Sequence, residues 1–110
     1  MLSDATGAFG EMAVQLLHYE NFGPHVNSTF SLKLGETTVD LALTEATRQM
    51  VRPFPGMMRE PFSLIFRSSS QVVLPQRIYP LEHDGMGKLE IFIVPVAREP
   101  QGIVYEAVFN

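Results

Sequence analysis

From residue 30 onward apolar and polar side chains alternate along most of the chain, and this period of two constrains the fold more than any other feature. Phe30, Leu32 and Leu34 stand opposite Ser31 and Lys33; Val39, Leu41 and Leu43 stand opposite Asp40, Ala42 and Thr44. Successive side chains of an extended strand point to opposite faces, so each run reads as a strand with one buried face. Gly35 and Glu36 between them form a connection short enough for an antiparallel hairpin. Phe62, Leu64 and Phe66 repeat the pattern, and Arg67 with Ser68-Ser69-Ser70 supplies a turn. Ile78 to His83 gives a further strand, closed by the glycine-bearing turn Asp84-Gly85-Met86-Gly87. Ile103, Tyr105, Ala107 and Phe109 alternate with Val104, Glu106 and Val108 in the last one.

Leu89 to Ala97 departs from this rule, being apolar at nearly every residue and rich in Ile and Val. Such a run suits a strand covered on both faces, so it is the predicted central strand. The predicted core is Phe66, Leu89, Ile91, Phe92, Ile93, Val94, Tyr105 and Phe109. Pro95 has no N–H for a ladder and is expected at a bulge or where pairing has ended. In the N-terminal third, Phe9, Met12, Ala13, Leu16 and Leu17 follow the spacing of an apolar helix stripe, predicting a helix near residues 9–19. Gly7 and Gly10 oppose it, and a strand over residues 12–18 is the alternative. Glu20 to Val26 reads as a short helical turn closed by Asn27, a residue that tolerates the left-handed conformation.

These elements predict an all-β, mainly antiparallel domain: a small barrel or two-layer sandwich of about six or seven strands, neighbours joined by hairpins, with a short N-terminal helix. Residues 1–16 read as an N-terminal extension, partly helical, and residues 17–110 as a single β domain. A chain of 110 residues that is 45% hydrophobic can bury a core without staples, and its lack of cysteine excludes disulfides, thiolate metal sites and cysteine catalysis. The net charge of −4 argues against a nucleic-acid partner. The longest apolar stretch, Ile91 to Ala97, falls far short of the roughly 20 residues a membrane helix needs, and the N-terminus has no basic n-region. The expectation is therefore no membrane partner, no signal peptide and no transmembrane segment, with a location in the cytoplasm or in a larger assembly.

Residue types that carry chemistry are present but poorly grouped. Glu82-His83-Asp84 has metal-ligand donors close together, yet neighbouring strand residues face opposite ways, which favours a solvated hairpin end with His83 bonded to a nearby carbonyl. His18 and His25 lie far away in sequence, and no HxH or HExxH spacing occurs. Ser68 to Ser70 could serve a Ser-His-Asp triad, but no GxSxG elbow is present and a serine run after a strand suits a turn. Gly85-Met86-Gly87-Lys88 resembles a phosphate loop only superficially, because a strand follows it. Nothing fixes the separation of Glu82, Glu90 and Glu106 that glycosidase-like chemistry would need. No catalytic residue, metal or cofactor is therefore expected, and the chain is read as no enzyme.

The loop from Gln49 to Glu60 is the unusual segment. Met50, Val51, Phe54, Met57 and Met58 are apolar, three glycine or proline residues interrupt regular structure, and Arg48, Arg52, Arg59 and Arg67 lie in or near it. Methionine adapts to irregular partners and exposed apolar patches mark interaction sites. Arg52, Phe54, Met57, Met58 and Arg59 are accordingly the candidate partner-binding residues. A lid folded back over the barrel end is the competing reading. A pocket lined by Tyr79, Phe92 and Tyr105 would instead make the chain a small-ligand-binding barrel.

Several segments carry a family resemblance: Phe22 with Pro24-His25-Val26, Thr29 to Leu32, and Pro61 to Phe66. More specific are Leu74-Pro75-Gln76 with Ile78-Tyr79, Leu81-Glu82-His83, Leu89 with Ile91 to Val96, and Tyr105 to Asn110. From Leu17 onward the sequence resembles a family of small bacterial all-β proteins of unknown function, sometimes encoded beside tail-collar or tail-fibre-like proteins. Asn27 stands where relatives are expected to carry glycine. The resemblance implies a compact, mainly β domain and an association with tail-like assemblies, and it transfers no catalytic residue. The resulting expectation is a non-enzymatic structural or protein-interaction subunit, an accessory of a phage-tail-like or fibre assembly, with a protein partner or self-association. The alternative is the ligand-binding barrel.

Overall fold

The computed structural model describes residues 17–49, 52–57 and 59–110. The predicted helix or strand upstream of Leu17 lies outside the described residues, as does Met58. The chain opens with the short helix α1 (Tyr19–Phe22) and a 3₁₀ turn (Gly23–His25), followed by β1 (Thr29–Leu34) and β2 (Thr37–Arg48). Then come β3 (Phe62–Ser68), β4 (Arg77–His83), β5 (Gly87–Glu99) and β6 (Gly102–Phe109). The expected helical turn is therefore present. Asn27 closes it at φ 76, and its N–H donates to the Leu43 carbonyl at 2.6 Å, setting the chain into β1 beside β2.

The strands close into a barrel in the order β1-β2-β3-β6-β5-β4, every pair antiparallel. Four connections are hairpins as predicted. The fifth, residues 69–76, crosses one end of the barrel so that β4 lies beside β1, which gives a Greek key. Two strands carry the closure. β2 pairs with β1 through Thr37–Ala42 and with β3 through Leu41–Arg48, with a register shift between Leu43 and Glu45. β5 pairs with β4 through Gly87–Ile93 and with β6 through Val94–Glu99, with a shift between Pro95 and Ala97. A bulge bends its strand and raises the local twist, so each long strand turns a corner and serves both halves of the barrel. Pro95 borders the shift, the place expected for a residue with no N–H to give a ladder.

Side chains fill the interior. Phe30, Leu32, Leu41, Leu43, Leu64, Phe66, Leu81, Ile91, Ile93 and Tyr105 are all buried. At the lower end Phe22 of α1 enters the barrel, with ring centroids 6.4 Å from Phe30, 5.9 Å from Phe62 and 5.7 Å from Phe109. At the upper end the crossover buries Leu74, whose N–H donates to the Tyr105 hydroxyl at 3.0 Å, while the Tyr79 hydroxyl donates to the Pro75 carbonyl at 2.6 Å.

Strand β5 corrects one expectation. Leu89, Ile91 and Ile93 are buried, but Phe92 between them is 48% exposed and Val94 only half-buried. A barrel strand has a single inner face, and among the described residues no second layer covers the outer face of β5 at Phe92. Phe109 is half-buried because it lies at the barrel rim. The two positions should therefore separate on truncation: Ile93→Ala should cost about 2 to 5 kcal/mol in urea unfolding and Phe92→Ala less than about 1 kcal/mol. Equal costs would mean that both faces of β5 are covered.

Candidate functional site

The loop between β2 and β3 is closed at its base by the Gln49 N–H donating to the Pro61 carbonyl at 2.9 Å. Its tip is a type II turn, Phe54-Pro55-Gly56-Met57. Proline sets φ at the second position, Gly56 takes φ +88 at the third, and the Met57 N–H donates to the Phe54 carbonyl at 3.1 Å. Arg52 through Gly56 are exposed and Phe54 is 60% exposed, so this part of the loop does not cover the barrel end, which Phe22 fills. Met57 is half-buried.

The arginines do not form a common patch. Arg59 donates through Nη1 to the Leu17 carbonyl at 2.7 Å and through Nε to the Asn110 carbonyl at 3.1 Å. Its guanidinium lies 5.3 Å from the Phe109 ring and 5.9 Å from that of Phe62. Arg48 pairs with Glu20 at 2.9 Å and Glu60 at 3.8 Å and covers the Tyr19 ring. Arg67 pairs with Glu99 at 3.2 Å and Glu45 at 3.7 Å. Of the five candidate residues, Arg52 and Phe54 are exposed, and Arg59 ties Leu17 and Asn110 to the barrel rim. Arg59→Ala should lower stability by about 1 to 3 kcal/mol, because two carbonyls lose a charged donor, whereas Arg52→Ala should stay within about 0.5 kcal/mol. Chemical denaturation of the two variants checks this, and equal effects would contradict the assignment.

The barrel's lower end also joins residues that the sequence keeps apart. His25 and His83 lie with ring centroids 4.6 Å apart, and His83 lies 4.3 Å from Phe30. His83 Nδ1 accepts the N–H groups of Gly85 at 2.9 Å and Met86 at 3.2 Å. That assigns the proton to Nε2, which donates to Ser28 Oγ at 2.8 Å, while the Ser28 hydroxyl donates to the His25 carbonyl. A base–nucleophile pair needs the opposite arrangement, with the imidazole nitrogen accepting from the hydroxyl. His83 thus organises the β4–β5 turn through turn N–H groups and not through the carbonyl expected. Gly85 lets the His25 ring approach the turn closely, since a Cβ there would come within 2.9 Å of His25 Cε1 and displace that ring. An open pocket of about 320 Å³ adjoins His25, lined by Leu17, Asn21, Met86 and Leu89 among others. Among the described residues no group of three or more metal-ligating side chains converges. Tyr79 and Tyr105 are buried with their hydroxyls engaged, and Phe92 is on the outer face, so the three do not share a chamber.

Burial holds the His83 pKa below its ordinary 6.5, the neighbouring His25 lowers it further, and Asp84 opposes both. The folded chain therefore binds fewer protons at this ring than the unfolded one. This contribution is fully present above pH 6.5 and is lost as the pH falls from there through the lowered value. Urea midpoints taken between about pH 5 and 7 should fall with acidity, and His83→Gln should flatten that slope. An unchanged slope in the variant would remove His83 as its source.

A closed six-stranded antiparallel barrel with a plugged interior places the chain among small all-β domains. It belongs to the DUF6916 family, described as a domain of unknown function, whose model matches residues 17–109. No curated protein and no solved structure matches the chain. Among the described residues no helix is long and apolar enough to cross a membrane.

Proposed function

We propose that this chain is a non-enzymatic structural or protein-interaction subunit that works through its outer surface. The observation that carries this reading is Phe54, a large aromatic side chain 60% exposed at the tip of a proline-braced turn, with Arg52 beside it. An aromatic group presented on a rigid turn loses little conformational entropy on docking, and aromatic residues with arginine are the types enriched at interface centres. The filled interior supports the same reading, because the inward side chains are spent on packing. The ligand-barrel alternative would need a chamber that Phe22, Leu74 and the two tyrosines occupy with their own atoms. The resemblance to a family sometimes encoded beside tail-collar or tail-fibre-like proteins suggests the setting, an accessory role in a phage-tail-like or fibre assembly.

Affinity capture from the native host with the wild type and with Phe54→Ser tests the proposal. The expected result is a protein partner held by the wild type and lost with Phe54→Ser, at an unchanged melting temperature. Capture that survives the substitution would sink the role of the loop.

A further inference from the structure

The lower end of the barrel is closed by a segment that no strand holds. Among the described residues, no backbone hydrogen bond joins residues 19–25 to a strand, so α1 and the 3₁₀ turn stay in place through side chains. Phe22 supplies the plug, Glu20 an exposed ion pair with Arg48 at 2.9 Å, and His25 the contact with His83. An open cleft of about 320 Å³ runs between the two sides, lined by Asn21, Pro24 and His25 on the segment and by Gly85, Met86 and Leu89 on the β4–β5 side. The histidine contact therefore bridges a gap that packing leaves unfilled. Beside it the barrel seam is also at its shortest, since β1 and β4 pair only at Ser31–Glu82 and Leu32–Leu81.

His83 fits this place only as a neutral ring. Its Nδ1 accepts two turn N–H groups and its Nε2 proton goes to Ser28 Oγ, so a second proton would have to lie at Nδ1, where two donors already point. The charged ring must turn away or the turn must open. Either movement undoes the chain of bonds from His83 through the Ser28 hydroxyl to the His25 carbonyl, three residues from Phe22. We propose that this contact is an acid-released latch: a proton on His83 parts the β4–β5 turn from the Gly23–His25 turn and raises the population of a state in which Phe22 has left the barrel end.

The groups around the ring do not cancel this effect. Burial and the facing His25 disfavour the charged ring, and Asp84 in the turn favours it with the smaller effect. Glu82, next on β4, faces the opposite side of the strand and lies 3.8 Å from Lys33 of β1, with Lys88 of β5 opposite it. From α1, Glu20 is engaged by Arg48, and β1 presents the uncharged Phe30 ring at 4.3 Å. In the open state the ring is hydrated and binds its proton near the ordinary 6.5, so opening becomes easier as the pH falls below that value and levels off once the closed ring is also protonated. One proton gives at most about a tenfold rise per pH unit. The latch is independent of the Phe54 loop, and either can fail without the other.

Native-state hydrogen exchange of the full chain, corrected for the intrinsic rate at each pH and followed in urea below the unfolding midpoint, separates this opening from global unfolding. The Gly23 N–H closes α1 onto the Tyr19 carbonyl and reports the plug, Asn27 reports the strap into β1, and Gly85 and Met86 report the turn. These four amides should exchange through one opening with little urea dependence, its equilibrium constant rising about three- to fivefold from pH 6.5 to 5.5. Leu64 and Ala107, paired across β3 and β6, should show the large urea dependence of global unfolding. His83→Gln should abolish the acid dependence of the local opening. His25→Gln, which leaves the His83 bonds in place, should keep it with a smaller total rise and stands in if the first variant fails to fold. In the wild type the ¹⁵N shifts of the His83 ring should report a neutral ring protonated at Nε2 above pH 7. Urea dependence at the four amides equal to that at Leu64, a Gly23 amide that does not join the opening, or an opening constant flat with pH would each overturn the proposal. So would an acid dependence unaltered by either substitution, or a ring protonated at Nδ1.

Discussion

The barrel depends on two strands that each change partner halfway. Six short strands close into a cylinder only if some of them turn corners, and β2 and β5 do so at the Leu43/Glu45 and Pro95/Ala97 register shifts. Each long strand pairs with one neighbour before its bend and another after it, so β1-β2-β3 and β4-β5-β6 form two similar meanders joined through β1–β4 and β3–β6. Corners leave the two ends open. The sequence supplies a plug for each: Phe22 on a single helical turn below, and Leu74 on the crossover above, fixed through the Tyr79 and Tyr105 hydroxyls. The Tyr105 hydroxyl accepts the Leu74 N–H and the Tyr79 hydroxyl donates to the Pro75 carbonyl, so these polar groups are partnered where the crossover closes the barrel.

That arrangement is what supports the proposal of a role for the outer surface. The inward residues pack against each other, and the polar groups at the barrel ends are occupied in holding the chain together. His83 illustrates this most clearly: its two ring nitrogens serve Ser28 and two turn N–H groups, leaving no free nitrogen for a substrate or a metal. Arg48, Arg59 and Arg67 are similarly engaged with carboxylates or carbonyls of the same chain. Among the described residues the exposed apolar side chains include Phe54 on its turn and the outward Ile78–Phe92 pair.

The periodicity of β1, β3 and β6 made those strands legible, because a one-faced strand leaves a period of two that local sequence reports directly. Asn27 and Pro95 were legible for a related reason: each has a backbone property that restricts where it can sit. β5 was misread at Phe92, since an apolar residue on an outer face looks the same in sequence as one covered by a second layer. The crossover was also beyond local reading. Nothing in residues 69–76 says that β4 must return beside β1, which follows only from closure. His25 with His83, and Arg59 with Leu17 and Asn110, are products of that closure. The loop 49–60 stands out in sequence by its apolar residues, but local sequence does not sort its arginines into Arg59, which braces the rim, and Arg52, which faces solvent.

A filled interior with exposed apolar side chains outside can be tested in one experiment: the relaxation caused by a soluble paramagnet at individual methyl groups. Methyls of Ile93, Leu64 and Leu32 should be protected, while those of Val72, Val73, Ile78 and Val96 should be strongly relaxed. Strong relaxation at Ile93 and Leu64, or protection of the outer methyls in dilute protein, would contradict the account.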